Sequence, residues 1–130
     1  MNIDFSPQRV LGILNDLNVN KAIGPDKIHG KLLKNCSIVL SRPLSILFNK
    51  CYRSSIIPSE WKMALVVPVH KKGPKADVEN YRPISITCLV MKIMERIVRD
   101  ELMLRCNAMI DPRQHGFMPG KSCCTQMIGF

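Results

Sequence analysis

Apolar residues recur at helical spacing from Val10 through Leu11 and Leu14 to Leu17, a period that lays one apolar stripe along a helix. Ser6-Pro7 supplies a hydroxyl N-cap and a proline at the first helical position. The pattern stops at NKAIGPDKIHG (20–30), where Gly24-Pro25 breaks any helix and Gly30 offers a second breakpoint. Asp26 suits a side-chain cap of that turn. Leu32, Leu33, Cys36 and Val39 begin another helical stretch, with Pro43 marking a boundary or kink within it. Leu44, Leu47, Phe48 and Cys51 continue its apolar face, and the turn IIPSEW (56–61) delivers the only tryptophan, Trp61, to the core.

The period then changes. Ala64–Val69 reads as a buried strand and Ile84–Cys88 as a second, joined through Gly73, Pro74, Asp77 and Asn80, residues that favour turns. This predicts an antiparallel hairpin with an unusually long loop. Residues 89–106 form the strongest helical pattern: Val90, Ile93, Met94, Ile97 and Val98 share one face, Lys92, Glu95, Arg96 and Arg99 the other. Glu95 and Arg99 have the spacing of a supportive pair. Asp111-Pro112-Arg113-Gln114 resembles a capping box, and Ser122 suits the start of a last helix. The expected class is α+β, with a helical N-terminal half, an antiparallel strand pair near 64–69 and 84–88, and a long helix over 89–106.

Composition narrows the class of partner. At 130 residues with 46% apolar and 22% charged positions, the chain has the profile of one folded domain. Nineteen Lys and Arg against ten Asp and Glu give +9, which favours a polyanionic partner. The excess is +4 over residues 1–60 and +5 over 61–130, so it is no basic tail on a neutral body. No apolar leader opens the chain and no apolar run is long enough to span a membrane. Six cysteines show neither C-x-x-C nor a His at zinc-ligand spacing, so they read as free thiols and no metal site is expected.

The strongest candidate chemistry lies in VVPVHKKGPKADVENYRPISIT (66–87). A hairpin holding Lys71, Lys72 and Arg82 presents a positive cluster of triphosphate or backbone size, arginine offering a planar fork and lysine a point charge. Pro83 biases Arg82 toward an extended backbone. The competing reading is an ordinary solvated hairpin tip. HGFMPGKSCC (115–124) imitates a P-loop, but the required glycine position holds His115 and Gly116 comes one residue late. Its glycines still make a tight turn to which Lys121 lends a positive charge. His29, His70 and His115 lack an obvious carboxylate partner in sequence and read as structural or exposed, and the scattered acids suggest no metal pair for phosphoryl chemistry.

Four blocks occur in a recognisable order: NKAIGPDKI (20–28), IPSEWKMALVVPVHKKG (57–73), NYRPISITCLVMKIMERIV (80–98) and DPRQHGFMPGKSCCTQM (111–127). Together they resemble the fingers region of a reverse transcriptase from a non-LTR (LINE-type) retrotransposon, over nearly the whole chain. The resemblance implies RNA-templated DNA synthesis on a right-hand fold, residues 1–130 being the fingers and the start of the palm. It implies Mg2+, deoxynucleoside triphosphates, an RNA template and a DNA primer for the intact enzyme, and cytoplasm and nucleus as its compartments. The family's basic finger-strand residue matches Lys71, with Lys72 as the alternative, and the arginine of its N-Y-R-P-I-S block matches Arg82; both would bind the triphosphate. Its Q-x-G-F block matches Gln114, Gly116 and Phe117, followed by Lys121 and Ser122, near the template and the nucleotide pocket. Two positions depart from it: Met118 stands where arginine is frequent, and Lys27 where glycine is common.

The family's metal-binding aspartates lie downstream of the Gly-Phe block, one of them in an aromatic-x-Asp-Asp turn, and this chain has no Asp-Asp and ends before that region. The chain is therefore expected to be a fragment that binds no metal and does not polymerise alone. The alternatives are a basic nucleic-acid-binding module and a remnant without function.

Overall fold

The computed structural model describes residues 3–106 and, beyond them, 109–111, 113–116, 118, 120–122, 124 and 127. The chain divides into two compact units, residues 1–98 and 99–130.

The first unit is built on helices. α1 (Pro7–Asn15) begins as the sequence dictates, Ser6 Oγ accepting from the Arg9 N–H ahead of Pro7 at the first helical position. α2 (Gly30–Asn35) and α3 (Ser37–Ser54) are separated at Cys36, not at Pro43. α3 runs through Pro43 because the carbonyl that the proline leaves without a donor is that of Val39, four residues back, on a face open to water. α3 buries Leu44, Phe48 and Cys51 as expected, together with three serines that were not. Ser37, Ser41, Ser45, Leu44, Phe48 and Cys51 point inward, while Val39 and Leu47, expected in the core, are exposed. Small serines let α1 pack close, and their hydroxyls are satisfied: Ser41 Oγ donates to the Ile38 carbonyl at 2.9 Å and Ser45 Oγ to that of Phe5.

α4 (Leu89–Cys106) has the bounds read from the sequence. Leu89, Val90, Ile93, Met94 and Ile97 join Phe5, Val10, Leu14 and Phe48 in one core. Phe5 stacks obliquely on Phe48 and Tyr52 at 6.1 and 5.6 Å, and Trp61 meets Phe48 edge-on at 6.0 Å from a 3-10 turn over Ser59–Lys62. Arg99 reaches Asp100 at 2.7 Å instead of Glu95, and Arg105 forms an i,i+4 pair with Glu101 at 2.9 Å.

The strands pair as an antiparallel hairpin, β1 (Leu65–His70) with β2 (Tyr81–Ile86), in a two-stranded sheet. The fold class is thus α+β. Two expectations change. β2 begins at Tyr81 and ends at Ile86, so Arg82 and Pro83 lie within the strand and Cys88 outside it. Neither strand is buried: Leu65 is 53% exposed and Val66 59%.

The GPDK loop fastens the base of this hairpin. Gly24 lies so near the Thr87-Cys88 backbone that a Cβ there would stand 2.7 Å from Cys88 Cα and 2.8 Å from the Thr87 oxygen. Lys27 N–H donates to the Gly24 carbonyl at 3.1 Å, and Asp26 Oδ1 caps Ile28 N–H at 3.2 Å. Lys27 itself has φ 58°, the left-handed region. Cys88 is buried beside Gly24, and that burial pushes its thiol pKa up.

Candidate functional site

The register fixes which side chains share a face. Val69 stands opposite Arg82 and His70 opposite Tyr81, and the Lys71 N–H extends the ladder to the Asn80 carbonyl at 2.7 Å. Directly opposed residues point to the same side and the side alternates along each strand. Lys71, Val69 and Val67 therefore share a face with Asn80, Arg82 and Ile84. Lys71 and Arg82 are diagonal neighbours on it, at the loop end of an otherwise apolar surface. Lys72 falls beyond the ladder in the bend. The register thus brings together two of the three expected cations. All three are exposed and make no ion pair among the described residues.

Other groups hold the loop between the strands. Asn80 Nδ2 donates to the Pro74 carbonyl at 2.8 Å, and Tyr81 Oη to that of Lys75 at 2.9 Å. His70 Nε2 meets the Gly73 carbonyl at 2.9 Å while its ring stands edge-on to Tyr81, centroids 5.4 Å apart. Gly73 has φ 80° with the Asn80 amide 2.8 Å from where a Cβ would sit, so this turn requires glycine. A ten-residue loop becomes a braced tip that leaves Lys71 and Arg82 outside the bracing. Sequence reasoning treated Asn80 only as a turn former and His70 and Tyr81 not at all as braces; their positions at the strand ends were the available signal.

Pro68 and Pro83 oppose each other. The Lys71–Asn80 bond puts their pair at a non-hydrogen-bonded position, where backbone N–H groups point away from the partner strand. Neither proline costs a ladder bond, and each removes the middle donor from one outer edge. Both edges are thereby made poor templates for further strands.

The second unit holds the remaining candidates. Gln114 N–H donates to the Asp111 carbonyl at 2.8 Å, Gln114 Nε2 to that of Gly116 at 3.2 Å, and Lys121 Nζ to that of Gln114 at 3.1 Å. Asp111 does cap the turn, taking the Arg113 N–H at 2.9 Å, but Gln114 supplies no return bond, so the capping box is half formed. The Arg113 guanidinium beside Asp111 holds its carboxyl below the usual range. Ser122 is exposed, and Phe117 lies outside the described residues. Among the described residues no group of three His, Cys, Asp or Glu is placed to hold a metal ion. Asp100, Glu101 and Asp111 each lie against an arginine. No helix among these residues is long and apolar enough to cross a membrane.

No family model matches the chain. It is 29% identical, over 98% of its length, to the "Probable RNA-directed DNA polymerase from transposon BS" of Drosophila melanogaster, covering 15% of that protein. Over 95% of its length it is 29% identical to the "Probable RNA-directed DNA polymerase from transposon X-element" of the same fly, covering 14% of it. It is 27% identical over 92% of its length to the "Retrovirus-related Pol polyprotein from type-1 retrotransposable element R1" of Bradysia coprophila, covering 12% of that protein. The chain is thus similar to RNA-directed DNA polymerases of non-LTR retrotransposons. The resemblance read from its four blocks is borne out at the level of family, while the chain spans only about a seventh of those relatives' length.

Proposed function

We propose that this chain is the fingers region and start of the palm of a retrotransposon reverse transcriptase, a right-hand polymerase whose function is RNA-templated DNA synthesis. Lys71 and Arg82 grip the triphosphate of the incoming deoxynucleotide, with Lys72 at the flank. The observation that carries this reading is their diagonal placement on one face of the hairpin, unpaired and exposed. Two neighbouring cations with free donors suit the oxygens of one polyphosphate, and the braced loop limits the ordering that binding requires. By the family resemblance, Gln114, Gly116, Phe117, Lys121 and Ser122 take part in binding the template or the nucleotide. RNA template, DNA primer and deoxynucleotides are the partners of the whole protein. Its Mg2+ ions are held by carboxylates that this stretch does not contain. The stretch by itself binds and does not polymerise.

Arg82→Ala tests the grip. Removing a charged hydrogen-bonding partner costs about 1.5–3 kcal/mol, or roughly 10- to 100-fold in affinity. Deoxynucleotide binding, followed with a fluorescent triphosphate analogue, should fall by that factor while binding of an oligoribonucleotide changes little. Unchanged nucleotide binding would remove the grip. A proportionate loss of both ligands, with steep salt dependence, would favour the second reading, a basic nucleic-acid-binding module, which the +9 charge supports.

A further inference from the structure

Between Asp26 and Glu60 the chain carries Lys27, Lys31, Lys34, Arg42, Lys50 and Arg53 and not one carboxylate. Most of this span is α2 and α3. At 100° per residue, Arg42, Lys50 and Arg53 fall within roughly 80° of arc on α3 and span about 16 Å along its axis. All three are exposed and form no ion pair among the described residues. Val39 and Ile46 share the arc, so cations interrupt the apolar positions along its length.

A shallow groove of about 650 Å³ lies along this face, lined by Ser45, Ile46, Asn49, Lys50, Arg53 and Ser54. Asn49 Nδ2 and Ser54 Oγ both donate back to helix carbonyls at 2.9 Å. The charged residues lining the groove are Lys50 and Arg53, both positive, so the ligand that suits it is anionic. We infer that the outer face of α3 is a nucleic-acid backbone-binding surface, distinct from the hairpin grip, in which Arg42, Lys50 and Arg53 each contact a phosphate.

A protein partner fits less well. Protein interfaces centre on aromatic residues or Met and are depleted of charge at their core. This arc has no aromatic residue or methionine, and its cations run its whole length. A row of like charges with a free path between them matches a polyanion's regular charge spacing instead. The inference shares with the proposed function a nucleic-acid substrate but not the hairpin residues, so the two can fail separately.

The test is a fluorescence-anisotropy titration of the full chain with a labelled single-stranded RNA of about 20 nucleotides, repeated between about 50 and 200 mM salt. Arg42→Gln, Lys50→Gln and Arg53→Gln are combined in one variant. All three side chains are exposed, so helicity by circular dichroism should be retained. Each lost phosphate contact lowers the salt slope by about 0.7 for a single strand, so the slope should fall by about 2. The charge-keeping variant Arg42→Lys, Lys50→Arg, Arg53→Lys should restore it. An unchanged slope in the glutamine variant overturns the inference. So does a retained RNA affinity together with lost binding to polyglutamate, which would make the surface a dock for acidic protein. Deoxynucleotide binding measured on the same variant should equal that of the parent chain. Loss of triphosphate binding on Arg82→Ala with the α3 slope intact would leave the two surfaces independent, as inferred.

Discussion

The helical core and the hairpin both contain apolar runs and end in opposite environments. Phe5, Val10, Leu14, Phe48, Leu89, Ile93 and Ile97 are wholly enclosed, whereas Val66 and Leu65 keep more than half their surface in water. The helices reach this state because stripes on three of them converge, each closing the others' exposed edge. The hairpin has two strands and two faces, and no residue of either strand is buried, only Val67, His70, Tyr81 and Ile86 being partly covered. An apolar run therefore reports that a face is apolar. Whether a neighbour covers it depends on the rest of the fold, and in the hairpin the uncovered face carries the candidate site at its tip.

The difference should appear most strongly in stability. Phe48 is fully enclosed and touches Phe5 and Trp61 rings, so Phe48→Ala should cost about 3–5 kcal/mol. Val66→Ala in β1 should cost less than about 1 kcal/mol. Urea unfolding followed by helical ellipticity would compare them. Similar costs for the two would mean that the hairpin is packed after all and that the contrast is wrong.

A smaller effect is expected at the joint between the regions. Gly24→Ala drives a Cβ into the Thr87-Cys88 backbone, which cannot rotate away as a side chain can. The joint must open for the methyl group to fit, at about 1–3 kcal/mol. Because Thr87 directly follows β2, the same substitution should raise hydrogen exchange in the hairpin more than in α1. Uniform destabilisation without that local signature would show that the loop does not anchor the hairpin.

How far sequence reached differs between the two regions for physical reasons. α4 was legible to both bounds because its period is strong and uninterrupted over Leu89–Cys106. The inward serines of α3 were not legible: a hydroxyl counts as polar in any pattern, yet Ser41 returns its proton to a helix carbonyl and so tolerates burial. The strand pair was legible, but its start was not. The apolar run reads as starting at Ile84, whereas Pro83 sits at a non-hydrogen-bonded position where a proline costs the ladder nothing, so the strand extends back to Tyr81. The choice between Lys71 and Lys72 rests on register. Register depends on how a ten-residue loop folds, and its length alone does not determine that.

Lys27 gives the smallest and most discriminating effect. The family resemblance makes glycine the expected residue there, and the φ of 58° fits that expectation, since the turn needs a left-handed residue after Gly24-Pro25-Asp26. A side chain there costs about 1–2 kcal/mol of steric strain relative to glycine. Glycine in turn loses about 0.5–1 kcal/mol through the greater freedom of its unfolded chain. Lys27→Gly should therefore stabilise the chain by up to about 1 kcal/mol, read as a shift of the urea midpoint at constant slope. The substitution also removes one of the cations between Asp26 and Glu60, but not one on the α3 arc. RNA affinity should thus fall only slightly while stability rises. If stability fell instead, the left-handed turn would be absent in solution, and with it the close seat of Gly24 that ties the exposed hairpin to the core.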